Sequence, residues 1–154
     1  MMATRVLSES DIDEILKLSL GPNDASWTKK ALEQALIGAL SGSYIALVGL
    51  DKSSGQVIAY AVASYLFDQA DVQNIIVSQP HRGRGMGRKL LQALTQALTN
   101  QGVEKVFLEV RASNQAAMNL YQSMGFVHIQ KRPDYYLGVD GKREDAFVFS
   151  LACL

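Results

Sequence analysis

The stretch Arg82-Gly83-Arg84-Gly85-Met86-Gly87-Arg88 constrains this chain more than any other, because alternate glycines stand where a strand gives way to a helix. Before it, about Asp71 to Val77 is rich in the β-branched residues of a strand. After it, Leu90, Leu91, Leu94, Ala97 and Leu98 recur with the spacing of a helix that buries one face, and Gly102 is placed to end that helix. The first amides of such a helix have no acceptor within it, and the aligned peptide dipoles leave that end positive, so the junction can hold phosphate oxygens. Glycines let the main chain close around an anion, and Arg82, Arg84 and Arg88 are available for charge-assisted contacts. The competing reading is a left-handed turn flanked by solvated arginines.

Two other phosphate motifs fit less well. A Walker loop needs Gly-Lys followed by Ser or Thr, whereas Lys89 here follows Arg88 and precedes Leu90. A dinucleotide fingerprint reads G-x-G-x-x-G, and this loop reads G-x-G-x-G with two helices and a hairpin before it in place of an opening strand. Glu109 nevertheless lies at the end of the next strand, where a ribose-binding acid belongs, so an NAD-binding oxidoreductase stays as a remote alternative.

Elsewhere the apolar pattern describes a single domain over residues 1–154. Ser8 and Asp11 mark a helix start, and Ile12, Ile15, Leu16 and Leu20 extend one face, predicting a helix near 9 to 20. Gly21-Pro22-Asn23-Asp24 breaks it, after which Ala31, Leu32, Ala35, Leu36, Ala39 and Leu40 predict a second helix ending near Gly42. Tyr44 to Leu50 and Val57 to Leu66 read as an antiparallel hairpin. Lys105 to Val110 is a further strand, Asn114 to Met124 a helix closed by Gly125, and the last strands fall at about 126 to 131 and 144 to 151. Arg132 to Glu144, with Pro133, Gly138 and Gly141, is too polar for a strand and reads as a loop. The fold class is therefore α/β, a mixed sheet with helices on both faces.

Composition excludes several functions. Basic and acidic residues balance at 15 each, which removes the broad positive field of a nucleic-acid or membrane binder. The lone Cys153 forms no disulfide within the chain, and residues 1–11 lack the apolar core of a secretory signal, so a cytoplasmic setting is expected. Two histidines, His81 and His128, without paired cysteines give little support to a metal site, and none is expected.

Arg82-x-x-Gly85-x-Gly87 after a strand resembles the pyrophosphate signature of the GNAT acetyltransferases. Leu108-Glu-Val-Arg-Ala-Ser-Asn114 and Leu120-Tyr-Gln-Ser-Met-Gly-Phe126 fit the same superfamily. With Arg132-Pro-Asp-Tyr-Tyr136 and Asp140-Gly-Lys-Arg-Glu-Asp-Ala146, nearly the whole chain is similar to the bacterial ribosomal-protein-alanine N-acetyltransferases, the RimI type. Pro80 and Ser26 depart from that pattern, as does Lys142, which lengthens the last loop. The resemblance implies the GNAT acyl-CoA N-acyltransferase fold, with a mostly antiparallel sheet. It also implies acetyl-coenzyme A as co-substrate and, as acceptor, the N-terminal alanine of a small-subunit ribosomal protein. By the same resemblance Glu109 is the base and Tyr121 the acid. The coenzyme is held by Ile75, Ile76 and Val77, by the loop residues Arg82, Gly83, Arg84, Gly85, Met86, Gly87 and Arg88, and by Asn114. Trp27, Tyr135 and Tyr136 flank the acceptor, with the 132–144 segment folding over it.

Residue chemistry is compatible with these roles. Strand alternation puts Glu109 on the face away from Val106, Leu108 and Val110, where it either serves as a base or simply faces solvent. Tyr121 follows Asn114 by about two helical turns and so shares its face; a tyrosine there either donates a proton or only packs. An α-amine, with a pKa of about 7.7 to 8.0, is partly neutral near pH 7, whereas a lysine amine at about 10.4 needs roughly 3.5 kcal/mol more help. A single carboxylate base suits the former. A broader peptide, lysine or small-molecule acetyltransferase and a non-catalytic acyl-CoA sensor remain as alternatives.

Overall fold

A computed structural model describes residues 2–21, 24, 27–138 and 140–153. Seven strands form the sheet: β1 (Met2–Val6), β2 (Tyr44–Asp51), β3 (Val57–Leu66), β4 (Gln69–Val77), β5 (Lys105–Arg111), β6 (Val127–Leu137) and β7 (Arg143–Ala152). Four helices join them: α1 (Ile12–Leu16), α2 (Lys29–Leu40), α3 (Met86–Asn100) and α4 (Gln115–Ser123). The strand order is β1-β2-β3-β4-β5-β7-β6, antiparallel throughout except between β4 and β5. The sheet is mixed, as the pattern of elements predicts, and mostly antiparallel, as the resemblance implies.

The central strand β3 explains how both faces are covered. Its Tyr60 and Val62 join Leu32, Ala35, Ile12 and Ile15 in a core under α1 and α2. Its Ala59, Ala61 and Ala63 face the other way, into a core with Leu90, Leu91, Leu94 and Leu98 of α3. Burial on both faces is why the strand reads as a continuous apolar run rather than an alternation. Among the described residues no helix is long and apolar enough to cross a membrane.

Only Gln69–Asp71 of β4 pair with β5, at Lys105–Phe107. Just beyond, the β3–β4 register slips, with Val62 opposite Asn74 and Ala63 opposite Val72, so Gln73 is an inserted residue. Such a bulge bends its strand. From there to Val77 and Arg111 the two strands have no ladder between them, and a gap opens in the sheet.

Two expectations are corrected. The first helix does not reach residue 20: a 3-10 turn at Glu9–Asp11 leads into α1, which ends at Leu16. The chain leaves the helix because Ser19 is engaged elsewhere, its carbonyl accepting from the Gln79 amide at 2.9 Å. Leu18 and Leu20 still pack on the α1–α2 core. Residues 132–144 are not a loop throughout, since β6 runs to Leu137 and β7 begins at Arg143. β6 is an edge strand, mostly exposed along its length and paired only with β7, so it needs no apolar alternation. The break at Pro22 and Asn23 lies outside the described residues.

The start of α1 rests on a buried carboxylate. Asp11, 3% exposed, accepts from the Ser8 amide at 2.8 Å and from both terminal nitrogens of Arg5 at 2.7 and 2.8 Å. The Arg5 guanidinium above all holds its carboxyl below the ordinary range; burial opposes this, and Ser8 assists. A depressed carboxylate contributes stability above its unfolded pKa of about 3.9 and loses it as pH falls through the folded value. Asp11→Ala is expected to cost about 1–3 kcal/mol at pH 7 by urea unfolding. The gap between variant and parent should narrow below about pH 4; an equal gap at both pH values would exclude the ionised carboxylate as its source.

Candidate active site

The glycine loop adopts the backbone its residues suggest. Gly83 and Gly85 both take φ +76, where side-chain-bearing residues are strained. Gly85 caps α3 with no side-chain hydrogen bond. The first helical amide to find an acceptor is Lys89, which donates to the Gly85 carbonyl at 3.2 Å. The amides of Met86, Gly87 and Arg88 have no acceptor among the described residues, which leaves three aligned donors at a positive helix end. A Cβ on Gly87 would meet Leu120 at 3.4 Å, an ordinary contact, so α4 packs directly beside the loop.

The three arginines diverge. Arg82 donates from Nε to the Val77 carbonyl at 2.9 Å and pairs with Asp24. It therefore ties the loop to the end of β4, and its charge is already matched. Arg88 donates to the Ser123 hydroxyl of α4. Arg84 is exposed and its side chain has no partner among the described residues, leaving it as the loop's uncommitted cation. Ile75, Val77, Gly83, Gly85, Met86, Asn114 and Tyr121 border the same cavity, of about 440 Å³.

A second, narrower cavity of about 140 Å³ fills the gap between β4 and β5. Ile75, Asn114 and Tyr121 line both cavities, so they adjoin. Glu109 and Tyr136 line the narrow one and also a third, of about 510 Å³, on the β6 side. The gap is thus a throat between two larger recesses, with Tyr121 reached from one and Glu109 from the other. Ile76 is buried with its side chain in the α1–α2 core, and its contribution to the throat is mainly backbone.

Tyr121 is 7% exposed, with its ring 5.8 Å from that of Phe126 and 6.2 Å from that of Phe149. Its hydroxyl has no partner among the described residues. Burial above all, with Tyr136 nearby, pushes its pKa up to about 12. The hydroxyl therefore stays protonated at neutral pH. Asn114 caps α4 by accepting from the Ala117 amide at 3.2 Å, and its side-chain NH2 is unpartnered among the described residues. Cap and binding group are compatible roles for it.

Glu109 has the orientation that alternation predicts, opposite Val148 of β7, but it does not simply face solvent. Its Oε1 lies 3.0 Å from Arg132 Nη1. Tyr136 is half-buried under Arg111, whose guanidinium carbon lies 4.5 Å from the ring centre. Burial first, and Glu109 second, raise the Tyr136 pKa. Arg111 is fixed in turn by Glu144 at 3.2 Å. Tyr135 is 45% exposed and meets Tyr136 edge-on with ring centres 5.1 Å apart. Trp27 stands apart from the others: it packs against the α1–α2 core and borders none of the three cavities. Sequence reasoning missed Asp24, Arg111 and Arg132 as site residues, because each acts through a partner on another element and carries no local signal.

The Acetyltransferase (GNAT) family matches residues 11–126. Ribosomal protein bS18-alanine N-acetyltransferase of Escherichia coli K12 is 42% identical over 98 residues, 64% of this chain and 66% of that protein, just under two thirds of its length. The Haemophilus ducreyi protein of the same name is 32% identical over 143 residues, 93% of this chain and 94% of its own. The crystal structure of the ribosomal-protein-S18-alanine N-acetyltransferase from Escherichia coli superposes with a TM-score of 0.86 at 31% identity, covering 99% of this chain and 94% of that one.

The lone hydroxyl of Tyr121 permits a clean separation of packing from chemistry. Tyr121→Phe should change stability by less than about 0.5 kcal/mol in urea unfolding, whereas Tyr121→Ala should cost about 3–5 kcal/mol through the cavity left among Phe126 and Phe149. A large loss on Tyr121→Phe would mean that the hydroxyl has a structural partner.

Proposed function

The chain belongs to the acetyltransferase (GNAT) family, and on that footing we propose that it transfers an acetyl group from acetyl-coenzyme A to the N-terminal α-amine of a small-subunit ribosomal protein that begins with alanine. The observation that carries the reading is the placement of Glu109 and Tyr121 on one narrow throat between a loop of unpartnered amides and a separate recess. The names and similarity of the Escherichia coli and Haemophilus ducreyi relatives support the acceptor. Such a protein would act in the cytoplasm, where ribosomal proteins are made.

The residues present fit the co-substrate. The amides of Met86, Gly87 and Arg88, with Arg84, suit a pyrophosphate. The edge of β4 along Ile75–Val77, released from β5, offers backbone groups to an amide-bearing arm. Asn114 adds an uncommitted NH2. Acetyl-coenzyme A supplies an acyl group already activated as a thioester.

This chain's residues then move two protons. Glu109 accepts one from the α-ammonium entering by the β6-side recess, directly or through water. Tyr121 directs its hydroxyl at the departing sulfur. A phenol at about 12 holds its proton more tightly than a free thiol at about 8.5, so its first contribution is a hydrogen bond to the charge developing on sulfur. As the N–C bond forms and the C–S bond breaks, the sulfur takes its proton from Tyr121, and the second proton shed by the acetylated nitrogen replaces it, so Tyr121 ends protonated.

Free-thiol release from acetyl-coenzyme A tests the proposal with three peptides: one with a free N-terminal alanine, one blocked there but carrying lysine, and one with both amines blocked. Release only with the first is expected. Release with the lysine peptide would widen the acceptor class, and none despite tight coenzyme binding would favour a sensor. Glu109→Gln should lower turnover by about a hundredfold or more, and by more at acidic than at alkaline pH. Tyr121→Phe should slow turnover with coenzyme affinity nearly unchanged. A pH profile unmoved by Glu109→Gln would remove Glu109 from the role of base.

A further inference from the structure

Arg132 reaches Glu109 from the edge strand by a built route. The register sets Arg132 opposite Ala146 and Tyr136 opposite Glu144, so residues 133–135 face Asp145 alone. Asp145 staples this bulge, accepting from the Asp134 amide at 3.0 Å and pairing with Lys131 at 3.2 Å. Asp134 takes φ +50 at its crest, and the Tyr135 ring lies 5.3 Å from the Arg132 guanidinium carbon. Bulge and ring together present the guanidinium to Glu109, with 41% of the arginine side chain and 29% of the glutamate exposed.

The proposed reaction brings a second cation to the same carboxylate, since an α-amine with a pKa of about 8 arrives mostly as ammonium at neutral pH. We propose that Arg132 is a positioning residue that stands in for the acceptor: it pairs with the Glu109 carboxylate and keeps it aimed while the recess is empty, and the acceptor's ammonium displaces it. The inference rests on the reading of Glu109 as the base. Arginine suits the task because it stays charged at every relevant pH. A part-exposed pair is worth up to about fivefold in an equilibrium, small enough for a bound peptide to overcome. The other charged and titratable groups lining the space around Glu109 are Asp24, Asp71 from β4, Arg111 beside it on β5, Tyr135 and Tyr136 from β6, and Tyr121 from α4. Arg111 is already engaged by Glu144, and Arg132 is the cation that pairs with Glu109 among the described residues.

Calorimetric titration of the coenzyme A-saturated enzyme tests this with a free-amine alanine peptide and its N-acetylated counterpart. Arg132→Gln should bind the free-amine peptide about three- to fivefold more tightly and the acetylated peptide no differently. The gain should vanish in the Glu109→Gln background, and Arg132→Lys should return the affinity toward the parent's. In turnover, KM should fall by a similar factor with kcat changed less than about twofold. Unchanged or weaker binding by Arg132→Gln at an unaltered melting temperature overturns the proposal, as does an equal gain for the acetylated peptide. A parent enzyme that releases no thiol would sink the catalytic reading while the binding comparison still decides the displacement. A free-amine peptide bound by none of the variants overturns both.

Discussion

The parting of β4 from β5 after three paired residues is the constraint on which the rest of the site depends. Backbone amides and carbonyls in a sheet are normally consumed by their neighbours, and groups left over must find water or a ligand. Here the surplus falls on β4 beyond the inserted Gln73 and on β5 beyond Phe107. The gap it opens is bordered by Ile75, Glu109, Asn114 and Tyr121, which come from two strands, a helix and that helix's N-cap rather than from long loops. Rigid elements therefore border the opening, which is made by breaking a ladder.

Electrostatics divides the site into two halves. On one side the bare amides of α3, the unpaired Arg84 and Arg88, whose hydrogen bond to the Ser123 hydroxyl leaves its charge unmatched, make a positive rim, while the charge of Arg82 is met by Asp24. On the other side Glu109, Tyr135, Tyr136 and the arginines of β5 and β6 form an interlocked set in which each cation has an acid or a ring. Tyr121 belongs to neither half. Its surroundings are aromatic, and that dryness keeps its proton in place.

Much of this was legible in the sequence where the signal is local. The glycines at 83 and 85 announced positive φ, Asn114 announced a cap, and alternation along β5 fixed the side on which Glu109 stands. Signals failed where a distant partner decided the outcome. The spacing of Leu16 and Leu20 predicts a longer first helix than forms, because the bond from the Gln79 amide to the Ser19 carbonyl draws the chain away. The 132–144 segment has the composition of a loop because an exposed edge strand needs no apolar face and its bulge admits Pro133. Trp27, which the resemblance sets at the acceptor, packs against the α1–α2 core and borders none of the three cavities. No pattern in either strand reveals that Arg132 and Glu109 meet, because their encounter depends on β7 running between them.

The seat of α3 on Ala59, Ala61 and Ala63 carries a consequence for scale. At these three positions of β3 the helix meets methyl groups alone, while Leu47 of β2 and Val106 of β5 belong to the same core. The amides at its start belong to the same rigid body, so the thickness of that alanine layer fixes their height above the strands. A ligand anchored at those amides and reaching into the throat spans a distance set by the sheet itself. Larger residues in place of Ala59, Ala61 and Ala63 would push α3 outward and carry the amides at its start farther from the throat.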